Sequence, residues 1–235
     1  MTSRRAGATL APTPPPGSAS PVPPTRPRGG RPTKQAAEEL GRLILETAAR
    51  LFAEQGFAAT TMEQVAATCG AGKDTIYRRY PSKAALFSAL MDQLRLRVVA
   101  EIDDALAEES PPLEQLRAYA RKLLAINLRP ELMALNRVAL AEAVPAGGVR
   151  PPAMAEDPLM IRFAALVRAA QSKALVADGD PLFIADQILY ATSIKPMIRA
   201  MLGDAQFADA AQQELYFARA WDLALSGIAR NVRPG

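Results

Sequence analysis

The sequence predicts an all-α protein of about nine helices, with an N-terminal three-helix domain containing a helix-turn-helix and a larger C-terminal helical domain. Three observations carry this prediction. Apolar residues recur at helical spacing after residue 34, with no alternating strand pattern and no internal repeat. Proline follows a polar residue at several points where a helical pattern begins, as suits the first turn of a helix. Residues 60–86, TTMEQVAATCGAGKDTIYRRYPSKAAL, read as a helix, a tight glycine-containing turn, a short helix rich in hydroxyl and basic side chains, and the start of another helix.

The elements follow in order. Residues 1–33 hold nine of the twenty prolines and are expected to be a disordered basic tail. From about 35 to 55, Leu40, Leu43, Ile44, Ala48, Leu51 and Phe52 fall on one helical face, and Gly56 then ends the helix with Phe57 folding back. Thr60 with Glu63 forms a capping box for a second helix over about 61–69, in which Val65, Ala66 and Cys69 face inward. Gly70 breaks that helix, and a third follows over about 73–80 with Gly72 at its N-cap. Ser82 caps a fourth, on which Leu86, Leu90, Leu94, Val98, Ile102 and Leu106 step every four residues to about 107. Helices are expected near 112–127, 130–143, 157–178, 181–202 and 206–231, with a mobile loop over 144–156 and a kink at Pro196. The domains are therefore a tail over 1–33, a helix-turn-helix domain over 34–82 and a second helical domain over 83–235.

Composition narrows the chemistry. The chain of 235 residues has no histidine, which removes the commonest general base and metal ligand, and no catalytic residue, metal or cofactor is expected. Its single cysteine, Cys69, excludes an internal disulfide framework and suits a reducing cytoplasm, where Cys69 is expected to be a small core residue. No apolar run approaches the roughly 20 residues of a membrane span. Net charge is +4, yet residues 1–34 carry six basic side chains and no acid. The tail is either a solubilising extension or an extra phosphate contact. Its last part, RPRGGRPTK, offers Arg28 and Arg31 for a narrow minor groove or for nonspecific phosphate contact.

A recognition helix meets the major groove with the polar groups of its first turns. Lys73, Asp74, Thr75, Tyr77 and Arg78 supply them here. Lys73 and Arg78 can donate to guanine O6 and N7, while Thr75 and Tyr77 suit phosphates or a thymine methyl. Asp74 either accepts from cytosine N4 or serves the helix N-terminus. Lys83 is placed to clamp a phosphate, and Ile76 and Tyr80 point to the core. The string Gly70-Ala71-Gly72-Lys73-Asp74-Thr75 looks like a phosphate loop but lacks the earlier glycine, the hydroxyl after lysine and the preceding strand.

Over residues 36–87 the pattern resembles the DNA-binding domain of the TetR family of transcriptional regulators. The Thr60-Thr61 pair, Ala66, Gly70, Thr75-Ile76-Tyr77, Tyr80, Ser82-Lys83 and Leu86 carry the resemblance, although Gly72 and Asp74 depart from the usual serine and small residue. It implies a cytoplasmic homodimer on a double-stranded DNA operator, commonly a repressor, with Thr60, Thr61, Lys73, Thr75, Tyr77, Arg79 and Lys83 as contacts. The stretches 131–143 and 181–203 look somewhat like the AefR-type C-terminal domains of that family. The resemblance further implies pairing through the last two helices, where Ile184, Ile188, Trp221, Leu225 and Ile228 would form the dimer face.

It also implies a small apolar effector held in the C-terminal domain. Met133, Arg137, Met160, Phe163, Val167, Tyr190 and Met197 are the candidate lining residues. Methionine and phenylalanine at this spacing also serve as plain core, and Arg137 belongs to a pocket only if it is buried and paired. A DNA-binding dimer without an effector remains the alternative, and a filled core in place of a cavity would mark it.

Overall fold

The computed structural model describes residues 33–106 and 109–228. The tail expected over 1–33, with Arg28 and Arg31, lies outside the described residues except for Thr33. Helix α1 (Lys34–Ala59) begins where the Thr33 side chain accepts from the Ala36 amide at 3.2 Å. Its outer face is laced by Arg42–Glu46 and Arg50–Glu54 pairs one turn apart, worth roughly 0.2–0.5 kcal/mol each. Its inner face buries Ile44, Leu45, Ala48 and Phe52. Leu43, expected on that face, is 42% exposed, because the buried stripe runs through Leu45 instead. Regular helix stops at Gly56, whose φ of 84° only glycine adopts without strain, and Phe57 folds back into the core as expected.

Helix α2 (Met62–Cys69) starts one residue later than the expected box. Thr61, not Thr60, accepts from the Gln64 amide at 3.1 Å, and the Gln64 side chain returns the bond to the Thr61 amide at 2.9 Å. Cys69 is half-buried at the edge of the core, not sealed within it. Helix α3 (Lys73–Arg79) follows, and Ser82 caps helix α4 (Lys83–Ala105) by accepting from Ala85. The first turns of α4 bury Leu86, Phe87 and Leu90 beside α1, while Ile102 near its far end joins a second core.

Helix α5 (Pro112–Asn127) starts at Pro112 with Pro111 at its cap, so Ser110 is displaced by one position. Helix α6 (Pro130–Val138) runs on into a wider π turn, Ala139–Ala143. Leu135, Val138 and Ala143 from this stretch are buried in the first core, against α1. Val149 joins them, so the loop expected to be free over 144–156 is pinned near its middle and ends in a 3₁₀ turn at Met154–Glu156.

Helix α7 (Pro158–Ser172) is capped by Asp157 and stops six residues short of its expected end. Ala174 turns left-handed there (φ 56°), letting the Leu175 amide reach the Ala170 carbonyl at 3.0 Å. Helix α8 (Pro181–Leu189), a π turn (Tyr190–Ile194) and helix α9 (Lys195–Met201) form one bent rod. At Pro196, where a kink is expected, the helix widens into a π turn just before the proline, which has no amide to give. A 3₁₀ turn (Ala205–Ala208) leads to α10 (Ala210–Ile228). Counting the bent rod once gives nine helices among the described residues. Helices α5, α7, α8 and α10 enclose the second core around Tyr119, Phe163, Ile188, Phe217 and Trp221. No described helix is long and apolar enough to cross a membrane.

Candidate nucleic-acid interface and interior cavity

Gly70 sets the angle between α2 and α3. Its left-handed backbone (φ 67°) closes α2 by sending the Ala71 amide to the Ala66 carbonyl at 3.0 Å. Ile76, fully buried, and Tyr80 anchor α3 to the first core. The opposite face of α3 then presents Lys73, Asp74, Tyr77 and Arg78 to solvent, with Thr75 half-buried beside them. Thr61 is exposed at the start of α2. Arg78 makes no hydrogen bond or ion pair among the described residues and is free to donate a planar pair of N–H groups.

Lys73 and Tyr77 are already engaged by one carboxylate. Lys73 Nζ lies 2.7 Å from Glu63 Oε1, and the Tyr77 hydroxyl donates to the same oxygen at 3.2 Å. The hydrogen bond from Lys73 holds the Glu63 carboxyl below the usual range, and reciprocally the Glu63 bond raises the lysine. Glu63 had been assigned only to the helix cap, so its part in this cluster was missed.

Three residues expected at the DNA surface face elsewhere. Thr60 is 0% exposed, and its hydroxyl donates to the Gly56 carbonyl at 2.7 Å. Arg79 folds back to donate to the Ala37 carbonyl at 2.7 Å, over Gly41, where any Cβ would come within 2.3 Å of the guanidinium. Lys83 donates to the carbonyls of Phe57 (2.6 Å) and Ala58 (3.1 Å) and lies 4.6 Å from the Phe57 ring centroid. Thr60 and Lys83 satisfy carbonyls left open at the end of α1, Arg79 adds a donor to a carbonyl in its first turns, and all three tie the three-helix unit together. Glu142, from the π turn after α6, completes the junction by accepting from the Ala58 amide at 2.9 Å.

Beside the second core a cavity of about 250 Å³, open on one side, lies between α4, α5, α6, α7 and the bent rod. Met160, Phe163 and Met197 line it, as the sequence suggested. Met133 packs against the core outside it, and Val167 is ordinary core. Tyr190 is 55% exposed, and Arg137 faces solvent from the outer side of α6, so neither belongs to the cavity. The polar lining is instead Arg95, Asp157, Asn127 and Asn136. Asp157 is also the cap of α7, and Arg95 lies one residue past Leu94 in the α4 row, a position that could have marked it.

The expected dimer residues divide in the same way. Ile184, Ile188 and Trp221 are buried within their own protomer, and Leu225 is half-buried. The side chain of Ile228 lies outside the described residues. The large apolar groups facing outward on these helices are Phe183 (61% exposed), Leu215 (44%) and Leu223 (77%), the last beside a groove between the bent rod and α10.

Residues 44–90 match the model of the family described as bacterial regulatory proteins, tetR family. The chain is 34% identical over 95 residues to the transcriptional regulator EthR of Mycolicibacterium smegmatis, covering 40% of this chain and 43% of that protein. It spans less than half the length of the curated relatives it matches. A TetR-family regulator structure from Mesorhizobium loti superposes with a TM-score of 0.67 at 22% identity, covering 83% of this chain and 98% of the other. The flavonoid-responsive regulator FrrA superposes with a TM-score of 0.60 at 23% identity, covering 83% and 100%. These likenesses establish a shared fold.

Proposed function

We propose that the chain is a tetR-family protein, as the match of residues 44–90 to that family's model supports, and that it is a sequence-specific transcriptional regulator, a repressor released from its operator by a small-molecule effector. The observation that carries this is the outer face of α3. Lys73, Asp74, Tyr77 and Arg78 stand exposed on a short helix whose other side is locked into the core by Ile76 and Tyr80. Arg78 suits a bidentate contact to guanine, and Thr61 and Tyr77 suit phosphate oxygens. The protein acts as a homodimer, since two recognition helices about 34–36 Å apart read successive turns of the duplex. Phe183 and Leu223 belong to the face that pairs with the second copy.

The cavity supports effector control over the alternative of a DNA-binding dimer with a filled core. Its wall includes Leu132, Leu135 and Asn136 of α6, and Leu135 also packs with Val138 and Ala143 in the α1 core. A ligand that displaces α6 therefore acts on α1 directly, through that packing and the Glu142–Ala58 bond. The ligand favours a dimer whose recognition helices no longer fit the operator, and the population shifts off DNA.

The test is binding of the purified protein to the DNA upstream of its own gene, titrated with salt and repeated with Tyr77→Ala and Arg78→Ala. Sequence-specific binding lost in both variants supports the assignment. Weak, salt-sensitive binding that is indifferent to both changes would sink it.

A further inference from the structure

The polar atoms of the cavity define what it accepts, given the reading of this cavity as the effector site. Arg95 and Asp157 are its two charged lining residues. Arg95 is neutralised twice, by Asp157 at 3.3 Å and by Asp92 at 2.9 Å. Asp157 is occupied in turn, since its other oxygen accepts from the Leu159 amide at 2.9 Å. An anionic ligand would meet a guanidinium whose charge is already offset by two carboxylates. A cation would find that carboxylate taken, and one aromatic ring, Phe163, in the wall. Charged ligands are therefore disfavoured by desolvation without compensation.

The two amides offer the opposite of a closed pair. Asn127 donates from Nδ2 to Ser193 Oγ at 2.8 Å, and Asn136 donates from Nδ2 to the Met197 sulfur at 3.4 Å. Neither amide oxygen accepts a hydrogen bond among the described residues. No described side-chain nitrogen or oxygen is sealed away without a partner, so both oxygens remain reachable. The rest of the wall is Leu, Ile, Val, Met and Phe. A site with free acceptors in an apolar wall selects a ligand that brings a donor, because an acceptor buried without one costs free energy.

We propose that the cavity binds a neutral, largely apolar molecule carrying a hydrogen-bond-donating hydroxyl, such as a short-chain alkylphenol. By comparison with benzene in an apolar cavity of about 150 Å³, its size is about ten non-hydrogen atoms. The hydroxyl donates to Asn136 Oδ1 or Asn127 Oδ1, and the hydrocarbon lies against Met160, Phe163 and Leu132.

Isothermal titration of the full chain with four probes tests this directly: 4-butylphenol, butylbenzene, 4-butylbenzoate and 4-butylbenzylammonium. The phenol should bind roughly tenfold more tightly than each of the others, the worth of one well-made hydrogen bond in a buried site. Asn136→Leu or Asn127→Leu, whichever removes the acceptor, should erase the phenol's advantage over butylbenzene, while continued binding of butylbenzene, as tight or tighter, shows that the variant is folded. An advantage that survives both variants overturns the proposed contact. Equal or tighter binding of the benzoate or the ammonium overturns the proposed class and leaves the cavity as an effector site. So does a phenol no better than butylbenzene. If none of the four binds, the cavity is no ligand site and both readings fall.

Discussion

Around Phe52, three aromatic rings close on one another, with centroids 5.7 Å from Phe57 and 5.1 Å from Phe87, and 5.6 Å between those two. Around Phe163, one ring stacks on Tyr119 at 5.0 Å while the other side opens on a cavity of about 250 Å³. The first core fixes the angle of α3, and close packing gives it one arrangement. The second surrounds space with methionine and leucine, side chains that adjust to what enters. On the proposed function, rigidity lies where a partner of constant shape would be read, and slack where a small molecule would be accommodated.

Removing one ring from the closed cluster tests that contrast most severely. Phe52→Ala should cost about 3–5 kcal/mol, whereas Met160→Leu on the cavity wall should cost less than about 1.5 kcal/mol. Urea denaturation measures both, and equal losses would break the comparison. On the DNA face, Arg78→Ala should weaken operator binding by about 1–3 kcal/mol and relax the preference at one base pair, leaving the melting temperature in place. A competition assay against single-base operator variants reads this out.

The third prediction concerns Tyr119, buried beside the cavity and donating to the Leu159 carbonyl at 3.2 Å. Burial, reinforced by the Asp103 charge against the opposing pull of Arg162, holds its phenol well above the ordinary tyrosine value. An unfolded tyrosine ionises near pH 10, before the folded one does. Stability is therefore whole below about pH 10 and falls as pH rises beyond it. Tyr119→Phe should lose about 1 kcal/mol near neutrality with the hydrogen bond and should flatten that alkaline decline, seen as thermal unfolding against pH. The smallest effect is expected at the surface: Glu63→Gln frees Lys73 to neutralise a phosphate, steepening the salt dependence of DNA binding by about 0.9 in logarithmic slope. An unchanged slope would mean that Lys73 already leaves Glu63 on contact with DNA.

The closed core was the more legible of the two. Its turn at Gly70, its inward Ile76 and Tyr80 and the return of Phe57 depend on local backbone chemistry, which neighbours in sequence specify. The failures share another cause. Both Thr60-x-x-Glu63 and Thr61-x-x-Gln64 make a capping box on paper, and the nearby Gly56 carbonyl, which takes the Thr60 hydroxyl, selects the second. Arg95 and Arg137 both lie in apolar runs, and only packing between distant helices decides which faces the cavity. Ile184, Ile188 and Trp221 were readable as buried but not as buried in their own protomer, because the helices that cover them are distant in sequence.

The junction at residues 56–60 has a consequence for exchange between regulators. Lys83 and Glu142 grip it through main-chain atoms, the carbonyls of Phe57 and Ala58 and the amide of Ala58. Within the junction itself the grip constrains Gly56, where a Cβ would stand 2.8 Å from a Glu142 oxygen. The exposed side chains proposed to read DNA, from Thr61 to Arg78, are thus set apart from that junction. A grafted α2–α3 segment with another operator preference should still answer to the same body, so the protein is built as an interchangeable reader on a constant mount.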